Sequence, residues 1–141
     1  VKILVCGGRK ITDRGFVFDG LDTFVEEYGK PDFVVQGYAK GVDKLALQWA
    51  ILRRIPNSGQ TYRADWAGEG IAAGPIRNRR MLNEQHPDFV VAFPGDAGTH
   101  NMVEQSFSSN VSVVFVTLDR ILCAPVSSFE ALKVQLEESI L

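Results

Sequence analysis

The chain has 141 residues, 45% hydrophobic and 23% charged, with a formal net charge of −2. That length predicts one domain with a real core, and the charge argues against a generic nucleic-acid coat, which needs a broad basic surface. No apolar run reaches membrane-spanning length and the first residues lack a signal-peptide profile, so the expectation is a cytoplasmic protein that spans no membrane.

The first predicted strand is "KILVC" (Lys2–Cys6). A helix follows, with Val17, Leu21, Phe24, Val25 and Tyr28 on one stripe and Thr12 or Asp13 available as its cap. The second strand is "DFVVQ" (32–36). The next stripe, Val42, Leu45, Ala46, Trp49, Ala50 and Arg53, predicts a second helix that ends by Ile55-Pro56. "QTYRA" (60–64) alternates and reads as a third strand at an edge. A helix over about 74–85 leads to "DFVVAF" (88–93), a helix over about 99–108 leads to "SVVFVT" (112–117), and a last helix runs from Phe129. That C-terminal extension, about 127–141, presents Phe129, Leu132, Leu136 and Ile140 either to its own sheet or to a partner.

Four of the five β-rich runs are dense in Val, Ile and Phe, as in strands covered on both faces. Strands alternating with helices predict an α/β fold: a Rossmann-like three-layer αβα sandwich with a mainly parallel five-stranded sheet in the order 3-2-1-4-5. The repeated "PDFVV" (31–35 and 87–91) is grammar of that fold, Pro and Asp closing a helix before an apolar strand. Cys6 and Cys123 are far apart, without CxxC spacing, and His86 and His100 are isolated, so neither a disulfide framework nor a zinc site is expected.

The strand ends carry the chemistry. The first strand runs into "CGGRKITD", the second into "QGYAKGVD" and the fourth into "FPGDAGTHN". Open α/β sheets bind ligands outside the carboxyl ends of strands where the order reverses, here between the first and fourth strands. Glycines let the backbone approach a ligand, and a helix start offers free N–H groups and positive dipole to a phosphate. Neither GxGxxG nor GxxxxGK[ST] is present, so a Walker-type ATP hydrolase is disfavoured. In "AAGPIRNRRML" (72–82), Pro75 suits a helix start, while Arg77 near that start opposes the dipole and points to phosphate or carboxylate recognition. Arg79 and Arg80 read as salt-bridge partners of nearby carboxylates.

These pieces together resemble the YspA-like branch of the SLOG superfamily, which also includes the LONELY GUY phosphoribohydrolases and the DNA-processing protein A group. The matching stretches are "VCGGR" (5–9), "QGYAKGVDKLALQWA" (36–50), "ADW" (64–66), "AAGPIRNRRML" (72–82) and "VVAFPGDAGTHNMV" (90–103), in the right order. The resemblance implies a single nucleotide-binding domain over residues 1–141, with contacts from Gly7, Gly8, Arg9, Gly37, Gly41, Asp43, Arg77, Pro94, Gly95, Gly98 and Thr99. It also implies a homo-oligomer. The phosphoribohydrolases follow "PGGxGT" with a glutamate on the next helix. Here Asp96 replaces the second glycine and His100, Asn101 and Met102 follow, leaving Glu104 a turn further on.

The leading reading is a protein that binds a small nucleotide-derived ligand, such as an ADP-ribose or NAD derivative or a nucleoside monophosphate, as a sensor or sequestering protein with no resident cofactor. The alternative is a nucleoside 5′-monophosphate N-glycosidase, with Asp43 and Glu104 as the catalytic carboxylates. Asp43 also reads as a helix cap, and Asp65 and Asp96 as turn residues or further carboxylate candidates. Trp66 is placed to stack on a base, whereas Trp49 belongs to the core stripe. A single-stranded DNA module, suggested by the DNA-processing relatives, lacks a wide basic groove with interleaved aromatics and is disfavoured.

Overall fold

Four of the apolar runs become strands because alternate residues on each feed opposite layers. In the computed structural model, which describes residues 1–118 and 122–140 (side chains to 137), they are β1 (Lys2–Cys6), β2 (Phe33–Val35), β3 (Phe89–Ala92) and β4 (Ser112–Phe115). All pairs are parallel, in the order β2-β1-β3-β4, with Leu4 opposite both Val35 and Val90, and Val90 opposite Val113. Ile3, Val5, Val34, Val91 and Val114 point into one core layer, and Leu4, Cys6, Val35, Val90 and Val113 into the other. That double burial is why the strands show no polar alternation.

The first layer is closed by α1 (Arg14–Tyr28) and α2 (Val42–Leu52). Asp13 caps α1, its Oδ1 accepting from the Phe16 N–H at 3.1 Å. Val17, Leu21 and Phe24 are fully buried beneath it. Trp49 in α2 fills the same core, and its indole N–H donates to Asp22 Oδ1 at 2.8 Å, tying the two helices together. The second layer is closed by α4 (Ala73–Gln85) and α5 (Ala97–Ser108), through Met81, Leu82, Met102 and Val103. A short α3 (Trp66–Glu69) and a 3₁₀ turn, Gly70–Ala72, lead into α4, and the chain ends in α6 (Phe129–Ile140). Phe129 packs against His100 and Phe107 of α5, and Leu132 joins it over the end of β4. The side chain of Ile140, and Leu141, lie outside the described residues.

The sheet has four strands among the described residues, not the five expected. "QTYRA" forms successive turns, Thr61 N–H donating to Ser58 O and Arg63 N–H to Gln60 O. The edge position is taken instead by a single parallel bridge between Val34 and Asn57. Gly59 then turns the chain away at φ +54°, and Ser58 Oγ occupies the next ladder position by accepting from Gln36 N–H at 3.0 Å. Without the missing strand, the expected order of the other four holds. The opposite edge is covered by an antiparallel bridge between Val113 and Val126. Among the described residues no helix is long and apolar enough to cross a membrane.

Candidate functional site

The chain leaves β1 toward one side of the sheet and β3 toward the other, so the crevice outside their carboxyl ends is the topological switch point. The loops that meet there are knit together by their own backbones. Gly8 N–H donates to Pro94 O at 2.8 Å, and Gly8 O accepts from Val42 N–H at 3.2 Å. Gly41 precedes α2 at φ +81°, where a Cβ would collide with Gly8 O and the Arg9 backbone. Gly8 therefore has no free amide to offer a ligand, and Gly41 serves the junction of two loops.

The loop 94–99 differs. α5 begins at Ala97 without a side-chain cap: Asp96 makes no hydrogen bond to the helix start and is itself among the residues lining the cleft. The first-turn amides of Ala97, Gly98 and Thr99 have no intrahelical carbonyl to pair with. Their residues line a cleft of about 370 Å³, together with Gly7, Arg9, Asp43, Trp66 and Arg77.

Arg77 begins the second turn of α4 and is 8% exposed. Its Nη1 donates to Gly37 O at 2.6 Å and its Nε to Asn78 Oδ1 at 2.9 Å. Asn78 Nδ2 in turn donates to Asn101 Oδ1 at 3.1 Å and Gly98 O at 3.3 Å, and Gln105 Nε2 donates to Asn101 Oδ1 at 2.8 Å. This chain of bonds fixes the guanidinium between Gly37 and Asn78, and Asn78 in turn is held by the first two turns of α5. A side chain on Gly37 would strike the guanidinium, so that glycine is required by close approach. Among the described residues no carboxylate comes within ion-pair distance of Arg77 or Arg9. Burial lowers the Arg77 pKa, the charge of Asp43 raises it and that of Arg9 lowers it.

Asp43 sits at the second position of α2 and is 6% exposed. It does not cap the helix; its Oδ2 accepts from Ala39 N–H at 3.3 Å. Burial pushes its pKa up to about 6, against the pull of Arg77. Cys6, also in the cleft wall, is 8% exposed, and burial raises its thiol pKa and keeps it neutral. Trp66 is 46% exposed, with the Arg9 guanidinium 4.8 Å from its ring centroid.

The other expected site residues lie elsewhere. Glu104 points away from the cleft, bonded to His100 Nε2 at 3.0 Å and bordering a surface recess with Arg79 and Asn83. Pro94 and Gly95 face the apolar recess under α6, and Gly37 lines a basic recess beside the cleft. Arg80 pairs with Glu84 at 3.2 Å, while Asp65 caps α3 by accepting from Gly68 N–H at 3.0 Å. Sequence reasoning missed Asn78 and Gln36. Gln36 precedes the matched Gly37 and Asn78 follows Arg77, and the only signal was an amide side chain in an otherwise apolar or basic stretch. Among the described residues no three His, Cys, Asp or Glu side chains gather as metal ligands.

The pattern of the YspA, cpYpsA-related SLOG family (YAcAr) matches residues 1–68. The Gene 61 protein of Mycobacterium phage D29 is 30% identical over 118 residues, covering 80% of this chain and 94% of that protein. Among solved structures, the X-ray structure of the structural-genomics target TM1055 superposes with a TM-score of 0.58 at 17% identity, over 79% of this chain and 71% of that one. A Methanocaldococcus jannaschii UDP-GlcNAc 2-epimerase, solved with UDP-GlcNAc and UDP, superposes at 0.50 and 16% identity, over 82% of this chain but 32% of the enzyme. At these identities the structural likeness speaks for the Rossmann-like α/β fold.

Proposed function

The chain belongs to the YspA, cpYpsA-related SLOG family, and from that premise we propose that it binds a nucleotide or nucleotide-derived ligand in the cleft outside β1 and β3. The ligand is of the ADP-ribose, NAD-derivative or nucleoside monophosphate type, and the protein senses or sequesters it. The observation that carries this reading is Arg77: a buried guanidinium fixed at two of its nitrogens, facing a helix start, with no carboxylate at ion-pair distance among the described residues. Asp43 opposes this charge from beyond ion-pair distance, and a buried cation with no counter-ion at closer range is costly. A phosphate between Arg77 and the Ala97–Thr99 amides supplies that counter-ion and uses the unpaired N–H groups as well. Trp66 at the cleft mouth offers a face for a base.

A second reading, N-glycosidic cleavage of a nucleoside monophosphate, rests on Asp43. A carboxyl with a pKa of about 6 in the cleft wall can hold or release a proton near neutrality. Glu104 takes no part in it, being outside the cleft. The homo-oligomer implied by the family resemblance is part of the proposal and is read by light scattering.

The test is a thermal-shift and base-release panel with AMP, dCMP, ADP-ribose and NAD. Stabilisation without release of free base is the expected result, with the shift lost in Arg77→Met. Arg77→Lys keeps the charge but loses the fork, and is expected to retain only part of the shift. Base release abolished by Asp43→Asn establishes the glycosidase instead. A panel in which no nucleotide moves the melting temperature of the wild-type protein overturns both readings.

A further inference from the structure

Beside the cleft, and sharing Arg9, Ala39, Trp66 and Arg77 with it, lies a second recess of about 620 Å³. Its remaining walls bring Lys40, Lys44 and Arg63, so five cationic side chains converge there and no carboxylate lines it. Among the described residues none of the five makes an ion pair. This is a local inversion, since the chain as a whole carries 17 acidic against 15 basic residues.

Two of the cations are also held by ring faces. The Arg9 guanidinium lies over the Trp66 ring at 4.8 Å, and Lys44 Nζ over the Tyr38 ring at 4.7 Å. Such contacts fix a cation through a ring face while leaving its N–H groups free to donate. Tyr38 reaches its position by adopting φ +57°, a left-handed conformation that a bulky residue takes only under constraint. The constraint is Gln36, fully buried, whose Oε1 accepts from Tyr38 N–H at 2.6 Å while its Nε2 donates to Gly59 O at 2.6 Å.

We propose that this recess is a second anion subsite, resting on the nucleotide-binding reading of the cleft. It takes a further phosphate of a ligand whose first phosphate lies at the start of α5, with Arg9 and Arg77 common to both. The ligand class is thereby a nucleotide with two or more phosphates, such as a nucleoside diphosphate or a pyrophosphate-linked dinucleotide, and not a nucleoside monophosphate. The cations sit in one bounded recess on a net-acidic chain, which favours a small polyanion over a nucleic-acid strand.

Isothermal titration at fixed low salt decides it, using phosphate, pyrophosphate, AMP, ADP, ADP-ribose and an oligo-dT as probes. Pyrophosphate is expected to bind at least about 10-fold tighter than phosphate, and ADP and ADP-ribose at least about 10-fold tighter than AMP. The Lys40→Ala/Lys44→Ala double variant, altered at two exposed side chains, is expected to lose that preference while its AMP affinity changes less than about threefold. Equal binding of AMP and ADP leaves the nucleotide-binding reading intact and overturns the second subsite. So does an equal loss of both in the double variant, or tighter binding of oligo-dT than of ADP-ribose. No binding by any probe overturns the underlying reading, and the subsite with it.

Discussion

The loops that follow β1 and β3 are both rich in glycine and meet at the crevice, yet Gly7 and Gly8 in the first and Gly98 in the second serve opposite purposes. In the first, Gly7 is pressed against Val42 and Phe93, with a hypothetical Cβ only 2.6 Å from Val42 Cγ2, and both backbone groups of Gly8 are taken by neighbouring loops. In the second, a Cβ on Gly98 would meet nothing within 4 Å, and Ala97, Gly98 and Thr99 line the cleft. Gly95 of the second loop shares the packed role, since a Cβ there would strike Thr99 and lie 2.9 Å from Gly8 N; Gly98 alone among these glycines leaves backbone bare. A glycine motif at a strand end therefore has two physical meanings, and the neighbours of each Cα tell them apart.

Substitutions set the two roles against each other. The largest effect is expected at Gly41, which belongs to the packed junction: Gly41→Ala forces a side chain into φ +81° against Gly8 O. A loss of about 3 kcal/mol or more in urea unfolding is expected, and a loss near zero would mean that the junction yields. Asp43, beside that junction, comes next. A carboxyl whose folded pKa lies above its unfolded value favours the fold only while protonated, so its contribution is full below 3.8 and lost as pH rises through about 6. Relative to Asp43→Asn, the wild-type protein should lose up to about 3 kcal/mol across that window. Parallel pH profiles would show that the carboxyl is better solvated than its burial implies. The smallest effect is expected at Gly98. Replacing a helical glycine that faces open space with alanine should alter stability by no more than about 1 kcal/mol, toward a gain, while nucleotide binding weakens. A loss as large as that of Gly41→Ala would erase the distinction between the loops.

The four apolar strands and the helices between them were legible because buried parallel strands and amphipathic stripes leave strong patterns in residue type. "QTYRA" carried the right alternation but was preceded by "NSG", where Ser58 and Gly59 end the edge pairing before the run begins. Local turn chemistry overrode periodicity there. Arg77 could be singled out because a cation near a helix start conflicts with the dipole, and Arg9 and Trp66 because they sit in matched motifs. Glu104 was nominated by its likeness in chain position to the phosphoribohydrolase glutamate, one turn beyond the expected place. Its direction depends on helix phase and on the bond to His100, neither of which spacing revealed. The Asn78–Asn101 bond that ties α4 to the Asn101–Gln105 pair of α5 joins residues more than twenty positions apart and leaves no local trace.

Gly8 touches the loop after β3 through its amide and the start of α2 through its carbonyl, so three separate stretches of chain share one fastening point. The lengths of those stretches are consequently locked to one another. Adding or deleting a residue in 7–9, 39–41 or 94–96 displaces the other two, while the turns at 59–63 and 109–111 carry no such tie to Gly8 and can change length on their own. Variation in size across the family is thus expected to collect at the latter turns, with the crevice loops fixed in number of residues even where their side chains differ.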